Sequence, residues 1–136
     1  GPMTKFDNSG FPSHLAGRLQ AHSQVQERLE IGKNDLTNEE ITKLKKQKLK
    51  LRTEILQTSY RTDCGPRISE AVLHPLSVDT LLILERRLKD EFDYTKTQVG
   101  PSSPDFKKLE DLLRRVTGRL GTKSIFYQPL CVVKAA

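Results

Sequence analysis

The residues that could do chemistry are few in this sequence, and they stand apart from one another. The histidines are His14, His22 and His74, and the cysteines are Cys64 and Cys131. None of them forms an H-E-x-x-H or C-x-x-C motif, and the sequence has no glycine-rich phosphate loop and no G-x-S-x-G motif. We therefore expect a protein that is not an enzyme and that uses no metal, no cofactor and no small-molecule substrate.

Structural roles account for these side chains. His22 falls at a seam position of a predicted helix, which favours a neutral core or boundary histidine, and His74 precedes Pro75 in a predicted turn. Cys64 and Cys131 are typical of free thiols in an intracellular protein, with a single disulfide as the alternative. The amino end lacks a secretion signal and no apolar run reaches 18 residues, so we expect an intracellular protein, cytoplasmic or nuclear, without a membrane segment.

The strongest chemical signal is a lysine-rich stretch at residues 36–61. It holds seven basic and three acidic residues, which gives four of the chain's six net positive charges. One interpretation is a nucleic-acid-binding face, in which the side chains would follow phosphates. The residues of that face would be Lys43, Lys45, Lys46, Lys50 and Arg52. The other interpretation is a solvated face whose aliphatic stems shield an apolar seam.

The same stretch carries the signals of a helix. Thr37 and Glu40 match the S/T-x-x-E capping box that begins helices. Leu44 and Leu51 lie seven residues apart, and with Ile55 they form a seam that packs on another helix. Lys48 also falls on this seam, where it could fix the register of packing or extend its amine to the edge. A second pair, Leu49 and Leu56, widens the stripe enough to serve another neighbour.

A helix is also predicted before this stretch. Ser13 can cap it, apolar residues follow at helical spacing from Leu15 to Leu29, and Gly32 can supply a left-handed residue at its end. A short polar turn then makes residues 11–62 an antiparallel hairpin, preceded by a disordered segment at residues 1–10.

A family resemblance follows from this hairpin. His14-Leu15, His22 and Leu29, followed by the lysine-rich run of residues 40–55 ending in Glu54-Ile55, are similar to the small bacterial helical-hairpin proteins of the YdcH type. The resemblance covers residues 11–57, and it implies a fold without an enzymatic activity.

The second half repeats the pattern with balanced charge. Residues 63–76 are a turn-rich connector with a short helix, and residues 77–121 are a second hairpin whose helices begin at the caps Ser77 and Ser103. Opposite charges spaced four residues apart, such as Glu85 and Lys89, indicate a solvated face on the first of these helices. Gly121 is expected to end the second.

The last segment, residues 122–136, is apolar without a helical period. It is expected to be a short strand or an extended tail, covered either by this chain's own bundle or by a partner.

The sequence thus predicts an all-α protein: two antiparallel helical hairpins in a small bundle or coiled coil, with an extended tail. We expect a protein–protein interaction module, an adaptor or scaffold subunit that binds a partner helix or self-associates, with nucleic-acid binding as the alternative. The expected partner-binding residues are Leu44, Leu51, Ile55, Leu109, Leu113, Val116, Phe126 and Tyr127.

Overall fold

The protein is a bundle of helices arranged as two antiparallel hairpins. The computed structural model describes residues 15–32, 34–58 and 68–130, and within them the chain is helical without a strand. The helices are α1 (Leu15–Ile31), α2 (Asn38–Gln57), α3 (Glu70–Leu73), α4 (Val78–Gln98) and α5 (Pro104–Lys123). The predicted all-α class is confirmed. None of these helices is long and apolar enough to cross a membrane.

Several sequence predictions lie outside the described ranges. They concern the segment at residues 1–10, the Ser13 cap, both cysteines, the start of the connector and residues 131–136.

Helix starts follow the local capping signals. The Thr37 hydroxyl accepts the Glu40 N–H at 3.1 Å, and the Glu40 carboxylate accepts the Thr37 N–H at 2.9 Å, so the predicted capping box is present. That backbone N–H lowers the pKa of Glu40. Ser77 and Ser103 each accept the N–H of the third residue of the helix that follows, as predicted.

Helix ends follow the sequence predictions only in part. Gly32 follows the end of α1 as predicted, but its φ is not positive. A Cβ at this position would lie 3.0 Å from the Arg28 carbonyl oxygen and 3.3 Å from Leu36, so the close approach of these groups favours glycine. α2 stops at Gln57 and does not reach residue 61, and α5 continues past Gly121 to Lys123.

One core joins the two hairpins. It contains Leu15 and Leu19 from α1, Ile55 from α2, the connector residues Ile68, Leu73 and Leu76, and the apolar stripes of α4 and α5. At one end of the second hairpin the rings of Phe92 and Phe106 lie 4.8 Å apart between centroids. At the other end the Lys123 amine donates to the Leu76 carbonyl oxygen at 2.6 Å, which is the arrangement of antiparallel helices.

The first hairpin adds a smaller apolar cluster of its own. Ala21 and Val25 from α1 meet Leu51 from α2, and Leu29 and Leu44 pack against them half-buried. α4 contacts both α1 and α2. These three helices are therefore the ones that position the site described next.

Candidate functional site

A groove of about 970 Å³ lies between α1, α2 and α4, with the residues after α5 on one side. Its apolar lining is Leu29, Ile41, Leu49, Leu82, Ile83 and Leu130. Three of these side chains are exposed to solvent, Leu49 at 62%, Leu82 at 41% and Leu130 at 39%. Exposed leucines gathered in one concave surface are typical of a binding site for another molecule.

Helical periodicity explains why these residues share the groove. The lining of α2 runs from Ile41 through Lys45, Lys48 and Leu49 to Arg52, which is one helical face. Leu56 packs against the main core, while Leu49, its partner in the second apolar pair, faces the groove. The second apolar pair therefore has only one member packed in the core.

The groove lining carries four basic and three acidic side chains. Lys48 is half-buried, and its amine donates to the Asp79 carboxylate of α4 at 3.0 Å, which links the two hairpins. In contrast, Lys45, Arg52 and Arg86 have no ion pair with any residue that the structure describes. The acids of the lining are Glu30, Asp79 and Glu85. The groove thus combines an apolar floor with a small excess of positive charge.

His22 lies under this groove in a network of hydroxyl groups. Its Nδ1 is 2.7 Å from the Thr80 hydroxyl, which also accepts the Ser23 hydroxyl at 2.7 Å. The ring is 1% exposed, which confirms the predicted core histidine, and its Nε2 is buried without a partner. Burial, followed by the charge of Lys48, lowers the pKa of His22 to about 4. The imidazole is therefore neutral at neutral pH and adds no charge to the groove.

Glu85 is the residue that sequence reasoning misplaced. The pattern predicted a solvated pair with Lys89, but Glu85 is completely buried and Lys89 bonds Asp93 at 2.6 Å. Its Oε2 accepts the Tyr127 hydroxyl and the Leu130 N–H, the latter at 3.1 Å. Its Oε1 is buried and has no hydrogen-bond partner in the part of the chain that the structure describes. A contact with residues more than forty positions away buries this carboxylate, and helical spacing cannot reveal such a contact.

Most of the predicted partner-binding residues are covered by the chain's own fold. Leu51 belongs to the small cluster, and Ile55, Leu109, Leu113 and Val116 belong to the main core. Leu44 and Tyr127 are half-buried against these clusters, while Phe126 is 84% exposed. The groove therefore coincides with none of the eight positions, although it uses the adjacent face of the same α2 helix.

The predicted nucleic-acid residues divide between two faces of α2. Lys45 and Arg52 line the groove. Lys43 and Lys46 line a shallow depression on another side of the helix together with Asn38, Glu39 and Thr42, and Lys50 follows at the same helical spacing. The five cations consequently do not form one continuous stripe.

Comparisons with protein-family models, curated proteins and solved structures give no match for this chain. The resemblance to YdcH-type proteins accordingly stays a prediction. Among the residues that the structure describes, no group of three or more histidine, cysteine, aspartate or glutamate side chains could hold a metal ion.

Proposed function

We propose that this protein is a non-enzymatic interaction module whose groove binds an acidic amphipathic helix of a partner protein. The observation that carries the proposal is the coincidence of exposed leucines with cations that have no ion pair among the described residues. Leu49 and Leu82 offer apolar surface, and Lys45, Arg52 and Arg86 surround it. An amphipathic helix presents one apolar stripe to such a groove, and acids beside that stripe would meet the cations.

The two kinds of contact would contribute differently. Apolar surface buried in the groove would supply most of the affinity, at roughly 25 cal/mol per Å² removed from water. Exposed ion pairs contribute about 0–1 kcal/mol each to binding. The cations would therefore add little affinity and would chiefly make the groove prefer a negatively charged partner. A second copy of this chain suits the site less well, because its most exposed helix, α2, is itself basic. The role would be that of an adaptor or scaffold subunit.

A defined peptide tests this proposal. The probe is a capped helical peptide of roughly 14 residues, with leucine at i, i+3, i+4 and i+7 and glutamate beside that stripe. We expect it to bind in a fluorescence anisotropy titration at physiological salt. Two control peptides, a scrambled sequence of the same composition and a version with lysine for glutamate, should bind at least about tenfold more weakly. Equal binding of the scrambled peptide would mean that charge alone drives the interaction, which would contradict the proposal. Concentration-dependent mass of the protein without peptide would instead favour self-association.

Nucleic-acid binding is the second candidate, and one observation favours it. Lys43, Lys46 and Lys50 are exposed on one face of α2 outside the groove, and none has an ion pair within the described ranges. Three phosphate contacts would make the logarithm of the affinity for duplex DNA fall with the logarithm of salt concentration at a slope of about −3. Replacing all three lysines by glutamine should remove that dependence without altering peptide binding.

We also propose an intracellular setting for this activity. The widely separated Cys64 and Cys131, each without a metal-ligand neighbour in sequence, support it.

A further inference from the structure

The residues that follow α5 are fastened to α4 beside the groove. Tyr127 packs against the main core, and its hydroxyl donates to the Glu85 carboxylate. Three residues later the Leu130 N–H donates to the same carboxylate oxygen at 3.1 Å. Gln128 and Leu130 then form part of the groove lining. One carboxylate therefore determines where this side of the groove lies.

Glu85 makes this attachment easy to reverse. Burial of a carboxylate removes its hydration, and among the described residues only Oε2 regains hydrogen bonds while Oε1 has no partner. If residues 124–130 moved away, Glu85 would recover water at both oxygens. The attached and released arrangements should consequently be closer in free energy than two states that differ by an apolar contact alone.

We infer that residues 124–130 form a latch on Glu85, and that latch closure and partner binding stabilise each other. This inference rests on the proposed function, since it concerns the same groove. Two effects of the closed latch each favour binding of the partner. The closed latch brings Leu130 into the apolar lining, and its two hydrogen bonds to Glu85 weaken the repulsion that this carboxylate of the lining would exert on an acidic partner. Because coupling between two equilibria is reciprocal, an acidic partner must hold the latch closed to the same extent.

The test uses Tyr127→Phe, which removes one hydroxyl and keeps the ring. Phe126→Leu is the matched control, because Phe126 neighbours Tyr127 but is 84% exposed. The first readout is the hydrogen-exchange rate of the Leu130 amide in the full chain without peptide. We expect Tyr127→Phe to raise this rate by about tenfold, as for a lost hydrogen bond to a charged group, and Phe126→Leu to leave it unchanged.

The second readout is the affinity for the acidic amphipathic peptide defined above. We expect Tyr127→Phe to weaken binding severalfold, Phe126→Leu to leave it unaltered, and saturating peptide to slow exchange of the Leu130 amide in the wild-type protein. An unchanged exchange rate in Tyr127→Phe would overturn the latch. Tighter or equal peptide binding by that variant would overturn the coupling, because residues 124–130 would then obstruct the groove or stand apart from it. Failure of the wild-type protein to bind the peptide would reject the proposed function and the coupling with it, while the exchange rates would still report on the latch.

Discussion

At the residue scale, the buried polar side chains decide the character of the site. His22 was predictable as a core histidine because it falls on the apolar seam of α1. Its partner Thr80 lies 58 positions away and was not predictable, since nothing local links the two residues. Burial, followed by the charge of Lys48, keeps the ring neutral, so the positive charge of the groove comes from lysine and arginine alone.

Lowering the pH should reduce the free energy of unfolding because His22 is buried. The unfolded chain takes up this proton near pH 6.5, but the folded protein does so only near pH 4. Between these values the unfolded state binds more protons, so the free energy of unfolding must fall as the pH is lowered. We expect the wild-type protein to lose up to about 3 kcal/mol relative to His22→Asn between pH 7 and pH 4.

Two measurements check this expectation. Chemical denaturation across that pH range gives the difference in unfolding free energy between the two proteins. The NMR chemical shift of a His22 ring proton, followed against pH, gives the midpoint of the His22 titration directly. Parallel stability curves, or a midpoint near 6.5, would contradict the buried placement.

Glu85 illustrates the limit of sequence reasoning at this scale. An acidic and a basic residue four positions apart on a helix predict a solvated ion pair. The same spacing occurs where a distant segment buries the acidic residue, so the spacing alone does not distinguish the two cases. Phe126 and Tyr127 were likewise indistinguishable in the sequence, yet only Tyr127 packs on the core, because its hydroxyl reaches Glu85.

At the element scale, helix starts were predictable, whereas the ends of α2 and α5 were not. Capping at Thr37, Ser77 and Ser103 is a matter of hydrogen bonds within three residues, so the local sequence decides it. The end of α2 depends instead on distant groups. The Thr58 carbonyl accepts Arg87 Nε at 2.6 Å, and the Thr58 hydroxyl accepts Arg18 at 2.8 Å.

The seam of α2 makes a prediction about two leucines one heptad apart. Leu51 is completely buried, whereas Leu44 is only half-buried at the edge of the small cluster. Leu51→Asp should therefore cost several kcal/mol of unfolding free energy, since it buries an unpaired carboxylate. Leu44→Asp should cost far less, because its carboxylate can reach water. Thermal melts followed by circular dichroism would compare the two, and equal losses would refute the placement of the seam.

At the scale of the whole molecule, the two hairpins were predictable but the groove between them was not. Each apolar stripe indicated a packing partner, and Leu49 with Leu56 indicated a second neighbour for α2. Which of these leucines would stay open depends on how α4 lies against both α1 and α2, and that arrangement follows from long-range packing in the shared core.

Truncation after residue 124 tests whether the final segment belongs to its own bundle. The truncated protein keeps Lys123 and its bond to Leu76 but loses Tyr127 and the contacts of Glu85. We expect an unfolding free energy lower by about 1–2 kcal/mol, with unchanged helix content. The number of chains per particle in solution should also stay the same. Loss of an oligomer without loss of stability would place this segment on a partner subunit instead.

The most direct test of the proposed groove is to remove one exposed leucine from it. Leu49→Asn changes an apolar lining residue that is 62% exposed, and Ile31→Asn is the matched control, because Ile31 is 76% exposed and lies outside the groove. Both variants should melt like the wild-type protein. We expect Leu49→Asn to weaken binding of the acidic amphipathic peptide by about tenfold, or roughly 1.4 kcal/mol, while Ile31→Asn binds as tightly as wild type. Equal affinities for wild type and Leu49→Asn, or an equal loss in both variants, would contradict the proposal that this groove is the binding site.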